Sequence, residues 1–142
     1  MKPVARLFLM TTLASALLAG CSSLALHSGQ ASLLDTDWEL VSLSEHAGVT
    51  GAGGKSPSLR LDAASQRAAG FAGCNRYNAG YELAGNSIRF NAPVATRMAC
   101  MDGAAIEQSF LASLPLVTSY VVAGRTLTLK VADSTVAVFR AR

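Results

Sequence analysis

Thiol chemistry or histidine-assisted catalysis in this chain would draw on three thiols, Cys21, Cys74 and Cys100, and two imidazoles, His27 and His46. A nucleophile activated by a base needs a histidine beside a serine or cysteine, with a carboxylate to orient the ring. His27 lies in a stretch rich in Ser, Ala and Leu, and His46 opens a glycine-rich one; neither belongs to a recognisable constellation, and both read as solvated loop residues. Two histidines without clustered Cys or Asp also predict no metal site. Glu82 with Glu107, or Asp62 with Asp102, are conceivable acid–base pairs, but no spacing singles them out and all four read as surface acids. Gly54-Lys55-Ser56 matches the end of a phosphate-binding loop. The pattern's first glycine would fall on Val49, however, and Pro57 leads into strand-like sequence where such a loop needs a helix, so that reading is rejected. The residue chemistry predicts a protein that is not an enzyme and carries no cofactor.

The chain opens with Met1, Lys2 and Arg6, continues through an apolar run from Leu7 to Leu18 and reaches Ala19-Gly20-Cys21. Charge, then an apolar stretch, then small residues is the order of a signal peptide, expected over residues 1–20. That apolar stretch is twelve residues, short of the roughly twenty that a spanning helix needs. Leu18-Ala19-Gly20-Cys21 resembles the lipobox of bacterial lipoproteins, which implies that the Cys21 thiol accepts a diacylglyceryl group and becomes the acylated N-terminus. The alternative is an ordinary secretory signal cut near Ala19, with Cys21 left as a free thiol. Acyl chains would hold the protein at a bilayer without spanning it. Ser22, where an Asp commonly retains such proteins in the inner membrane, implies the outer membrane, with the domain facing the periplasm.

Twelve basic residues face nine acidic ones, but Lys2 and Arg6 belong to the expected signal, so the mature chain is almost neutral. Arg60, Arg67, Arg76, Arg89 and Arg97 look scattered, not gathered into the basic stripe with stacking aromatics that nucleic acid requires, and no nucleic-acid partner is expected. Residues 21–35 read as a lipidated Cys and flexible tether, and 36–142 as the globular part, roughly 105 residues and room for one core. In an oxidising compartment Cys74 and Cys100 are expected to pair. The bond would close a loop of about 27 residues and contribute roughly 3.5 kcal/mol. Two buried free thiols, or a redox-active pair, are the alternatives.

Those residues must be positioned by short strands. Asp37 to Leu43 is rich in strand formers, and Ser44 to Pro57, with four glycines, is expected to be a flexible loop. Further strands are expected over Ser58–Leu61, Arg67–Ala72, Gly80–Ala84, Ser87–Phe90, Val117–Ala123, Thr126–Val131 and Thr135–Arg140, with turns at Gly85-Asn86, Gly124-Arg125 and Asp133-Ser134. Asp102 is placed to cap a helix from Ala104 to Leu114, whose Ile106, Phe110, Leu111 and Leu114 form one stripe and which Pro115 stops. The expected class is α+β, mainly β: an antiparallel curled sheet or partly open barrel packed with one helix.

The run Gly70-Phe71-Ala72-Gly73-Cys74-Asn75-Arg76-Tyr77-Asn78-Ala79-Gly80-Tyr81, followed by Ala95-Thr96-Arg97-Met98-Ala99-Cys100 and then Glu107 and Phe110, resembles the META domain of HslJ-like lipoproteins. Trp38-Glu39-Leu40 and Leu127-Thr128-Leu129 agree with it. The resemblance implies a sheet curled against one helix and an association with heat shock and novobiocin tolerance, but no known reaction. Gly73 and Gly80 are expected to supply positive φ and the Asn75 amide to bond a turning backbone, so the block reads mainly as structural. If a ligand binds there, Arg76 and Tyr77 are the expected exposed contributors, joined by Arg97, which is also placed to pair with Glu107. The leading expectation is an envelope lipoprotein that binds a protein or small apolar partner. A pilotin-like assembly factor and a hydrolase with an unrecognised site are the rivals.

Overall fold

The computed structural model describes residues 29–44 and 46–142, so the expected signal peptide, Cys21 and His27 lie outside the described residues. Alternation of apolar side chains builds the sheet. Strand β1 (Trp38–Leu43) buries Trp38, Leu40 and Leu43, and β2 (His46–Ala47) folds back on it. Strands β3 (Ser58–Asp62), β4 (Arg67–Phe71), β5 (Arg76–Ala84) and β6 (Ser87–Ala95) then bury Leu59 and Leu61, Ala68, Tyr77 with Ala79 and Tyr81, and Ile88 with Phe90. After the helix come β7 (Ser119–Ala123), β8 (Thr126–Val131) and β9 (Ser134–Ala141), with Leu127, Leu129, Ala137 and Phe139 inside. A period of two places each strand's apolar set on one face.

All pairings are antiparallel. The order is β2-β1-β3-β4-β5-β6-β7-β8-β9, and β1 also pairs with β9, so nine strands curl into a ring. The ring is not a regular barrel. Its weak seam joins β6 and β7 through one register pair, Ser87 with Ser119, whereas β8 and β9 stay in register from Thr126–Arg140 to Val131–Ser134 apart from one bulge. On β6, Ala92 and Pro93 bulge opposite Ala79, with Ala92 at φ 42°. Proline lacks a ladder donor and fits such a place.

Helix α1 (Ala104–Ser113) runs into a 3-10 turn, Leu114–Leu116, that begins around Pro115. Phe110 is fully buried and meets Tyr77 of β5 edge-on at 5.4 Å and Phe139 of β9 at 6.2 Å, so the helix plugs one end of the ring from within. Leu43, Ser58 and Tyr77 mark this helix end. At the opposite end Trp38 pairs with Ala141, and the β3–β4, β5–β6 and β7–β8 turns gather.

Several expectations are corrected. Gly103, at φ 87°, and not Asp102, precedes the helix, with no side-chain cap. The folded part begins earlier than residue 36: Ala31 N–H donates to the Gly124 carbonyl at 2.8 Å, the Trp38 indole donates to the Leu33 carbonyl at 3.0 Å, and Leu33 and Leu34 pack on the core. The segment from Ser44 to Pro57 is tied down by a buried Val49 and by Ala52 N–H donating to the Gly73 carbonyl at 2.6 Å. Strands β5 and β6 extend to Arg76 and Ala95, and the last turn sits at Ala132-Asp133, one residue early.

Candidate functional site

Asn75 is the buried polar residue at the centre of the helix end. Its Oδ1 accepts from Met98 N–H at 2.8 Å and from the Thr96 hydroxyl at 3.0 Å. Its Nδ2 donates to Glu107 Oε1 at 3.0 Å and to the Met98 carbonyl at 3.2 Å. The other Glu107 oxygen accepts the backbone N–H groups of Cys74, at 3.2 Å, and Asn75. Glu107 stands in the first turn of α1, where a carboxylate also complements the helix dipole. The Arg97–Glu107 pair expected from sequence does not form, because three N–H donors already take up the carboxylate.

The backbone beneath this network crosses at glycines. Gly73 has φ 127° and Gly103 φ 87°, and a Cβ on Gly103 would lie 2.2 Å from the Gly73 carbonyl oxygen. A side chain at either position would push the helix off the β4–β5 loop. Gly80, by contrast, sits in β5 without positive φ. A disulfide joins Cys74 to Cys100, whose Cα atoms are 5.9 Å apart, and clamps the segment after β6 onto the same loop.

Beside this scaffold lies an apolar cleft of about 510 Å³ between residues 43–44 and 46–50 and the first turns of α1. Leu43, Val49 and Ile106 supply its apolar wall, Ala47 and Ala105 leave it open, and His46 stands on its rim. Sequence reasoning missed it. The one available signal was Val49, an isolated large apolar residue in an otherwise small and polar loop.

Residues 31–142 match the family profile described as META domain. The chain belongs to the META domain family. This META domain is similar to a protein from Burkholderia xenovorans solved by NMR, at 29% identity over 78% of this chain and 83% of that one, with a TM-score of 0.66. A second NMR structure, at 19% identity, TM-score 0.58 and coverage of 74% and 87%, shares the fold. No curated protein matches the chain.

Of the residues singled out in the sequence, the META fold separates what function would have joined. Arg76 is exposed at the start of β5, whereas Tyr77, expected beside it at the surface, is buried: its hydroxyl donates to the Ser58 carbonyl at 3.1 Å. Burial alone pushes that phenol far above its ordinary range. Arg97 is exposed in the segment after β6. The four candidate acids are kept apart. Glu82 accepts from Asn91 at 2.9 Å on the outer face of β5, while Glu107 is inside the helix network. Asp62 accepts from the Ser65 hydroxyl and N–H, which hold its carboxyl below the usual range, at the end of the ring opposite Asp102. Among the described residues no three of His, Cys, Asp and Glu gather as metal ligands would.

Proposed function

We propose that this META domain is a non-catalytic binding module of the bacterial envelope, which holds an apolar segment of a partner protein or a small apolar ligand in the cleft beside α1. The cleft carries the reading. Leu43, Val49 and Ile106 offer apolar surface next to a hydrogen-bonded scaffold, the usual composition of a preformed site, and the Asn75–Glu107 network keeps its helix wall fixed. Acylated Cys21 would tie the module to the outer membrane, facing the periplasm, and the family's association with envelope stress and novobiocin tolerance gives it a physiological setting.

The test is a photo-crosslinking residue at Thr50, on the cleft's edge, in the full chain within native membranes, paired with titration of dodecanoate into the detergent-extracted protein. A crosslinked partner at Thr50, or ligand-induced shifts confined to Leu43, Val49 and Ile106, either abolished by Ile106→Lys, is expected. No occupancy by either route, together with unchanged novobiocin and heat tolerance on deletion, would overturn the reading.

A further inference from the structure

The junction spanned by the Cys74–Cys100 disulfide is also held without it. Residues 96–98 are fastened to the β4–β5 loop by Asn75: the Met98 N–H and the Thr96 hydroxyl donate to its Oδ1 at 2.8 and 3.0 Å, and its Nδ2 donates to the Met98 carbonyl at 3.2 Å. Thr96 N–H adds a bond to the Arg76 carbonyl at 3.1 Å, and Glu107 binds the start of α1 to the same loop. Cys74 directly precedes Asn75, and Cys100 follows Met98 by two residues. Hydrogen bonds therefore keep the two sulfurs at one junction once the covalent bond is broken, although the cysteines stand 26 residues apart and form no Cys-x-x-Cys. Their surroundings differ. Cys74 is 6% exposed, and its Sγ accepts from Asn75 Nδ2 at 3.2 Å and lies 3.3 Å from the Met98 carbonyl oxygen. Cys100 is half-buried and flanked by exposed Ala99 and Met101, the latter fully in solvent.

We infer that this pair is a thiol-exchange site for a dithiol, with Cys100 the attacked sulfur and Cys74 the resolving one. Access decides which sulfur of a disulfide is attacked, and a reactive cysteine works reversibly when a resolving partner is poised beside it. One thiolate of the dithiol attacks Cys100 Sγ. A mixed disulfide forms, the Cys74–Cys100 bond breaks, and its electron pair passes to Cys74 Sγ, which takes a proton from water and donates it to the Met98 carbonyl. The Glu107 carboxylate, bonded to the Cys74 N–H, favours that protonated sulfur over a second buried negative charge. The second thiolate of the dithiol then attacks its own sulfur in the mixed disulfide and releases Cys100. The dithiol is oxidised by two electrons to its disulfide, and the protein pair is reduced to two thiols. In the reverse direction Cys74 attacks a mixed disulfide at Cys100 and restores the bond. No residue lining the apolar cleft takes part, so this site stands or falls independently of the cleft.

The decisive measurement exposes the full chain in detergent micelles to millimolar dithiothreitol without denaturant. Samples are quenched with acid, unfolded and alkylated with N-ethylmaleimide; mass spectrometry of their peptides locates the labels, while circular dichroism of the unquenched protein follows the fold. Labels on both Cys74 and Cys100 with an unchanged spectrum are expected, and both are expected to disappear when the dithiol is replaced by its oxidised form. A second arm treats the single variants Cys74→Ser and Cys100→Ser with oxidised glutathione. The mixed disulfide is expected to form at Cys100 at least about tenfold faster than at Cys74, in line with its greater access. A bond that resists dithiothreitol until urea is added, loss of the fold on reduction, failure of either single variant to fold, or equal rates at the two sulfurs each overturns the inference, and the first of these assigns the disulfide to a purely structural role.

Discussion

Asn75 uses its amide on both sides, and that saturation explains why a polar residue can be buried at the junction of sheet and helix. Asn75→Ala would leave the Thr96 hydroxyl, Met98 N–H and one oxygen of Glu107 short of partners, and each such orphan is costly in a low-dielectric interior. A loss of about 3 kcal/mol in urea unfolding is expected, with most of it retained in Asn75→Ser. Tyr77 gives a pH signature. Its folded pKa is raised by burial, so its contribution is whole below the unfolded value of about 10 and declines as pH climbs past it, because only the unfolded chain ionises. Tyr81 shifts the same way, by burial first and then by Asp35 and Asp62. Unfolding midpoints measured from pH 8 to 11 should fall in the wild type and fall less steeply in Tyr77→Phe, which at neutral pH loses about 1 kcal/mol for the bond to Ser58.

At the scale of elements, α1 is positioned by the glycine crossing and the Phe110 plug together. Gly103→Ala combines positive φ with a Cβ 2.2 Å from the Gly73 oxygen, so thermal unfolding should show a loss of more than about 2 kcal/mol. Gly124→Ala has positive φ but nothing within 4 Å and should cost only about 1 kcal/mol. These elements were legible to different degrees. Leu59 with Leu61 and Leu127 with Leu129 alternate in sequence as they do in space, so β3 and β8 could be read directly. The start of β5 was hidden because Cys74-Asn75 reads as a turn, and the end of β6 because Pro93 argues against a strand until a bulge accommodates it. Asp102 failed as a cap because the close passage of Gly73 decides how the chain enters the helix. The cleft was illegible, since it exists only once Val49 and the helix are brought together, which no local pattern records.

For the whole molecule, closure of the ring is uneven. Strands β8 and β9, and β1 with β9, share long ladders, whereas β6 and β7 meet at Ser87–Ser119 with flanking bonds from Ile88 to Thr118 and from Tyr120 to Asn86. Local opening follows the weakest ladder. Amide hydrogen exchange should therefore be fastest at the seam, with Ile88 and Tyr120 exchanging well ahead of Leu127 and Leu129; uniform protection around the ring would contradict this. The anchoring of Ala31 to Gly124 and of Arg142 N–H to the Asp37 carbonyl has a practical side. Entry and exit of the folded chain share the end of the ring remote from the cleft, so a reporter, resin linker or second domain grafted at either point hangs behind the module like a handle and leaves its working end unobstructed.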